Sequence, residues 1–529
     1  MSRQGKQSAV LVGVFAAMTI LQVSFAGKQC LWVDEVFSLA IATGHSLEHP
    51  ANVADAGKGD FIEPTQVVPA GDLQKYLAHE NPPATPARVI RATLLSDTSP
   101  PLYYLLLYVW TLIVGTSDIA LRLFSITCYL AAFPILAAVA RRAGGERSVI
   151  PACVLFAFSP MGLYFSGEGR MYSLLLLLII GTAWTCLILR EGGTSIGHFV
   201  LWIVLSVAGF LTHYFFALPW LGMVLFLFLR PGKVDRWRLL ICLCLVGLLL
   251  LPWYVTAAAA SSQWRVTQGW LSLHPTGYNR SRAIRNQILQ FFFGGGTGFT
   301  QFRRWSSFLS LFLFMLIAGA MAWRLRWRAF EGSRGMLWLW FIVAAATPFF
   351  IDLLRGTYFI NNARYALPAL PAAYLLAGMG IACFADRTAT IVLVLIVISW
   401  ADVVVIMFRE NSRSGEPFRA IAQSITAYNT PSGLILVHSI PSGVLGIARY
   451  SDKSSAIGVW VEQLGQRRVP ESIQSLIAGR SRVFFVLAHP LGEPVPEEEW
   501  LQARSVVSSD GWRQRIKVLE LQPKIGATF

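Results

Sequence analysis

Charge is what this 529-residue chain has least of. Asp, Glu, Lys and Arg together make up 14% of it, while apolar residues reach 55%; an average soluble protein is about 25% charged. That shortage excludes a disordered chain, a fibrous chain and an ordinary cytosolic enzyme. Acidic residues are scarcer still: 29 Asp plus Glu stand against 44 Lys plus Arg, a net charge of +15. In a soluble protein such an excess suggests nucleic acid, but in so apolar a chain the positive-inside rule is the first explanation to test. The seven cysteines are Cys30, Cys128, Cys153, Cys186, Cys242, Cys244 and Cys383. Six lie in or beside apolar runs, and Cys242 and Cys244 are splayed around a helix by their spacing, so no disulfide framework or paired metal ligand is read. Internal repeats and low-complexity segments are also missing. No A-x-A site follows the first apolar run, which is read as a retained helix rather than a signal peptide.

What is present is a series of long apolar runs. A bilayer crossing takes about 20 apolar residues, which picks out 8–27, 119–140, 149–166, 171–190, 237–257, 305–323, 336–354, 365–384 and 388–408. The run 196–230 is too long for one span. It breaks at Thr212-His213-Tyr214 and reads as two short helices, making eleven in all. The segment 100–116 is apolar but short and opens on Pro100-Pro101. If it does not cross, the clusters around Arg141, Arg190, Arg230, Arg324 and Arg387 all share a side with Arg3 and Lys6, the cytoplasm. The expected fold class is therefore an all-α polytopic membrane protein with a cytoplasmic N-terminus. Its membrane domain is 1–408, with extracytoplasmic loops at 28–118 and 258–304. The tail 409–529 is extracytoplasmic, and its alternating strand-like and helix-like segments predict a small α/β domain.

In that topology five polar motifs converge on the outer face. Asp34-Glu35 follows the first helix. D-T-S-P-P-L-Y-Y (97–104) closes the first loop with Asp97 and Tyr103. G-E-G-R-M-Y (167–172) carries Glu168 and Arg170. His213 and Tyr214 sit at the outer break, and N-N-A-R-Y (361–365) brings Arg364 and Tyr365. Taken singly, each has a bland reading: an interfacial acidic pair, a helix cap at Asp97, a turn ion pair, a satisfied histidine, a snorkelling arginine. A transporter would place such groups at mid-membrane; these sit at the outer ends of spans, which suits a reaction at the lipid–water boundary.

In this order the motifs L-W-V-D-E-V-F-S-L (31–39), D-T-S-P-P-L-Y-Y (97–104), E-G-R-M-Y (168–172), L-T-H-Y-F-F (211–216), L-P-W (251–253) and R-Y-A-L-P-A-L-P-A (364–372) resemble one group of enzymes. These are the GT-C fold, lipid-dependent glycosyltransferases of the family 39-like branch, relatives of protein O-mannosyltransferases and lipid A aminoarabinose transferases. The resemblance covers roughly 8–408. Two positions depart from the family pattern: Ser99 stands where many members have His, and Gly169 where many have Ala.

The resemblance implies a polyprenyl-phosphate sugar as donor and transfer with inversion at the extracytoplasmic face of a plasma (inner) membrane. It implies a glycan, lipid or protein as acceptor, with no nucleotide sugar and no nucleic acid. It makes Asp34 the general base. Its neighbour Glu35 is then expected to orient the acceptor or shape the loop, and Asp97 and Glu168 to orient Asp34, bind sugar hydroxyls or hold a divalent cation (Mg²⁺, Mn²⁺ or Ca²⁺). Arginine suits a phosphate leaving group because its fork is planar and always charged, which nominates Arg364 and Arg170, with Arg303, Arg304 and Arg355 behind them. His213, Tyr214, Tyr103 and Tyr365 are the expected substrate contacts. A polyprenyl-linked sugar flippase or an O-antigen-type ligase is the alternative.

Overall fold

The computed structural model describes residues 3–48, 54–96, 99–193, 195–230, 232–260, 279–281, 283–284, 291, 304–410, 413–428, 432–461, 469–489 and 495–524. Asp97, Arg303 and most of the loop 258–304 lie outside these. Apolar runs of span length become helices because a buried or lipid-facing backbone must satisfy its own hydrogen bonds. The first are α1 (Arg3–Ala26) and, in the first loop, α2 (Val33–Ala42). A two-residue strand β1 (Val68–Pro69), α3 (Ala70–Gln74), α4 (Pro86–Ser96) and α5 (Leu102–Val114) complete that loop. Then come α6 (Asp118–Gly144), α7 (Glu146–Phe158), α8 (Pro160–Ser166), α9 (Tyr172–Glu191), α10 (Ile196–Phe210) and α11 (Ala217–Leu229). The membrane part closes with α12 (Arg236–Ala260), α13 (Arg304–Leu325), α14 (Gly332–Arg355), α15 (Leu370–Ile381) and α16 (Asp386–Arg409).

Among the described residues seven helices are long and apolar enough to cross a bilayer, or up to eight if the bent pair α7–α8 is one span. The expected span 149–166 bends by 57° between these two helices, where Ser159 caps α8 and Pro160 opens it. The run 196–230 divides at Thr212–His213 as expected, with a short 3₁₀ turn leading into α11. At 13 residues α5 is about 20 Å long, too short for a 30 Å hydrocarbon core. Helix α9 is sheathed by other helices along most of its length, whereas α12 exposes Ile241, Leu248, Leu249 and Leu251.

The tail is a small α/β domain of α17 (Phe418–Tyr428), β2 (Gly433–His438), α18 (Pro441–Tyr450), β3 (Ala456–Trp460), α19 (Glu471–Ile477), β4 (Arg482–Leu487), α20 (Pro496–Arg504), β5 (Ser505–Arg513) and β6 (Ile516–Pro523). The sheet order is β1-β3-β2-β4-β6-β5, with β3, β2 and β4 parallel and the rest antiparallel. Strand β2 is buried along its whole length, as a central parallel strand should be. Alternate residues serve two cores. Leu434 and Leu436 pack with Ile473, Leu476 and Leu501, while Ile435 and Val437 join a core continuous with that of the membrane helices. The sheet also borrows β1 from the first loop. Tail and membrane part are thus joined through both sheet and core.

Candidate active site

Asp34 and Glu35 occupy the first turn of α2, where a helix N-terminus favours acidic side chains. They point to different fates. Glu35 is fully buried against Arg122, which donates Nε to Oε1 at 2.8 Å and Nη2 to Oε2 at 2.6 Å. Arg122 spends its other donors on the carbonyls of Ala26 (2.7 Å), Gln29 (2.6 Å) and Cys30 (2.9 Å). The backbone N–H of Gly169 completes the Glu35 shell at 2.8 Å. Burial alone would raise the Glu35 pKa, but Arg122 outweighs it and holds the carboxyl below its ordinary value. Glu35 is therefore a buried strut between α2, α6 and the 167–171 turn.

Asp34 keeps part of its carboxylate open, and its Oδ2 accepts from Nη1 of Arg364 at 2.9 Å. Arg364 is delivered by the loop after α14. There Asp352 accepts from Thr357 Oγ1 and from the N–H groups of Phe359 and Ile360 at 2.7, 2.7 and 2.9 Å, and Asn362 caps the turn Ala363–Tyr365. The guanidinium stacks over Tyr365 at 5.4 Å, with Tyr172 beside it. Phe215 and Phe359 wall off Tyr365 at ring distances of 5.0 and 4.6 Å. Behind Asp34, Nη1 of Arg170 donates to Ser38 Oγ (3.0 Å), to the Tyr104 hydroxyl (3.1 Å) and to the Asp34 carbonyl (3.4 Å).

His213 lies at the helix break. Its Nδ1 accepts the Phe215 N–H at 3.0 Å, which leaves Nε2 as the protonated nitrogen, and its ring faces Tyr172 at 6.2 Å. The break is tied to the first loop because the Leu102 N–H, just after Pro100-Pro101, donates to the Leu211 carbonyl at 2.9 Å. Tyr214 packs on Tyr254. Tyr103 is fully buried against Phe124 and Tyr104; it is its neighbour Tyr104 that reaches Arg170.

Glu168 is buried in the turn before α9 with Arg413 at 3.6 Å, and its Oε2 has no hydrogen-bond partner among the described residues. Burial pushes its pKa up to about 7, against the pull of Arg413. Gly169 has a local reason: a Cβ there would lie 2.6 Å from the Leu121 side chain. Ser99 is buried, and Asp97 lies outside the described residues. Among the described residues no cluster of three His, Cys, Asp or Glu could hold a metal ion. A separate cavity of about 500 Å³ opens between the start of α6 and the tail, lined by Asp118, Arg419, Arg449 and Tyr450 but by neither Asp34 nor Arg364.

Sequence reasoning therefore brought together Asp34, Arg170, Arg364, Tyr365 and His213, and missed Arg122, Tyr104, Tyr172 and Arg413. Arg122 did leave a signal: an arginine inside the expected span 119–140 is costly and calls for a partner.

Residues 98–257 match a family model described as dolichyl-phosphate-mannose-protein mannosyltransferase. No curated protein matches the sequence. Among solved structures, ArnT from Cupriavidus metallidurans bound to undecaprenyl phosphate is similar at TM-score 0.59 and 14% identity, over 98% of each chain. Its apo state is similar at 0.53 and 14%, over 91% of this chain and 95% of that one. An oligosaccharyltransferase from Archaeoglobus fulgidus, in complex with Zn and sulfate, follows at 0.48 and 13%, over 89% of this chain and 67% of that one. The fold is that of the GT-C enzymes, and with the mannosyltransferase family match it makes the chain a membrane glycosyltransferase of GT-C type.

Proposed function

We propose that this GT-C membrane glycosyltransferase moves a sugar from a polyprenyl-phosphate donor to a hydroxyl acceptor at the extracytoplasmic face of a plasma (inner) membrane. The observation that carries the reading is the 2.9 Å pair between Asp34 and Arg364, two residues 330 positions apart, with Arg170 behind it. A base and a phosphate-binding cation belong side by side if one group is to receive a proton while the other receives a leaving phosphate. The fold supports the donor class, because ArnT of the same fold binds undecaprenyl phosphate.

In the resting site Arg364 occupies Asp34. A donor phosphate competes for the guanidinium fork and leaves the carboxylate to face the acceptor. The acceptor O–H gives its proton to Asp34, and its oxygen forms a bond to the anomeric carbon. The anomeric C–O bond to phosphate breaks, and its electron pair passes to the phosphate oxygen held by Arg364 and Arg170. Attack opposite the leaving group inverts the anomeric centre. Glu35 has no free oxygen toward solvent, so its part is to hold α2. Neutral His213, Tyr172 and Tyr365 line the donor side. The chain crosses eleven times from a cytoplasmic N-terminus, which puts these groups and the tail outside.

The test is transfer of labelled sugar from a defined polyprenyl-phosphate donor by purified protein in lipid. Donor-dependent loss of polyprenyl-phosphate-sugar supports the reading; donor translocation without cleavage overturns it in favour of a flippase.

A further inference from the structure

The segment that carries the acidic pair is held from the tail as well as from the membrane helices. Glu416, 1% exposed, accepts the N–H of Val33, the first residue of α2, through Oε2 at 2.8 Å. Its Oε1 accepts from His489 Nε2 at 2.9 Å, and its carbonyl accepts from the Cys30 thiol at 3.3 Å. Tyr450 accepts the Leu31 N–H at 2.8 Å while donating to Asp118, which also binds Arg419 and Arg449. Arg413 reaches Gln29 Oε1 at 3.2 Å and the carbonyls of Tyr164 and Gly167. Residues 29–33 thus have Arg122 on one side and a row of tail residues on the other.

The first N–H groups of a helix have no partner within it. Ordinarily a cap from the preceding residue or water supplies one. Here Trp32 has no capping oxygen, and a carboxylate 383 residues away does so instead. We propose that Glu416 is a positioning residue for the transfer reaction: it fixes the first turn of α2 and so the height and direction of the Asp34 carboxylate, which makes the tail part of the catalytic unit. This rests on Asp34 being the base. Misplacing a catalytic group by about 1 Å can cost on the order of 10²-fold in rate. A cap that sets the first turn of a ten-residue helix acts on that scale.

The variants separate position from stability. Glu416→Met keeps the volume and loses the acceptor. Glu416→Gln keeps one oxygen for the Val33 N–H and turns its amide toward a neutral His489. In full-length protein in lipid, Glu416→Met should lower kcat by about tenfold or more with donor KM changed less than about twofold, and Glu416→Gln should recover most of it. Tyr450→Phe, which strips the acceptor from Leu31, should lower kcat in the same sense. Asp34→Asn/Glu416→Met should be no slower than Asp34→Asn alone, because a misplaced base that is already absent costs nothing more. Unchanged kcat in both Glu416→Met and Tyr450→Phe overturns the inference. So does a Glu416 defect that multiplies onto the residual rate of Asp34→Asn, or one that Gln fails to rescue while the melting temperature falls in step. Near-normal turnover in Asp34→Asn alone is a different result, and it removes the base assignment instead.

Discussion

The phosphate-binding role proposed for Arg364 and Arg170 depends on the shape of a side chain as much as on its charge. A guanidinium can meet two phosphate oxygens at once and still stack on Tyr365, whereas an ammonium is a point charge. Arg364→Ala should therefore weaken donor binding by at least tenfold, and Arg364→Lys should restore it only in part, read as the apparent affinity for a polyprenyl-phosphate ligand. Glu168 makes a different prediction. Burial raises its pKa from 4.5 to about 7. A carboxyl that holds its proton more tightly when folded contributes stability that is full below about pH 4.5 and is lost as pH rises to about 7. The melting temperature of the wild type should thus fall across that window, and Glu168→Gln, which cannot ionise, should flatten the slope. An unchanged slope in Glu168→Gln would show that another group titrates there.

Among the elements, α2 depends most on partners far away in sequence. Its anchor Arg122 makes five donor contacts to the segment 26–35. Removing one partner of a buried pair strands the other and typically costs about 3–5 kcal/mol. Arg122→Leu should accordingly lower stability by that order, seen as a drop in melting temperature and in folded yield, with Glu35→Gln milder because the amide oxygen still accepts one bond. The helices themselves were largely legible. Long apolar runs, Pro160 at a bend and the polar break at His213 are local signals, and local backbone demands set helices in a bilayer. The strands Gly433–His438, Arg482–Leu487 and Ile516–Pro523 were legible for the same reason, as apolar runs bounded by turns. Strand β1 was not, because two residues carry no period and pair only with β3, nearly 400 positions on. The site was half legible. Asp34, Arg364 and Arg170 announce themselves as polar residues in apolar surroundings. Which carboxylate takes which arginine depends on helix packing, so the Glu35–Arg122 and Glu168–Arg413 partnerships had no signature in their own neighbourhoods.

The whole molecule is one unit with two kinds of surroundings. The core of the membrane helices runs on into the tail through Ile435, Val437 and Val444, and the first loop lends a strand to the tail's sheet. A tail so joined must lie on the same side of the membrane as the first loop. A phosphatase fused after Phe529 should therefore be active, and a cytosolic reporter there silent; the opposite pattern would mean that 100–116 crosses or that another span is miscounted. The central claim is that Asp34 accepts the acceptor's proton while Arg364 holds the donor phosphate. Asp34→Asn keeps the shape and cannot take a proton, and general base catalysis is typically worth about 10²–10⁴-fold. The most direct measurement is turnover per folded molecule of Asp34→Asn beside wild type in lipid, with donor binding measured on the same samples. The account predicts a fall of at least about 10²-fold with donor still bound; near-normal turnover in that variant, with Glu168→Gln inactive, would contradict it.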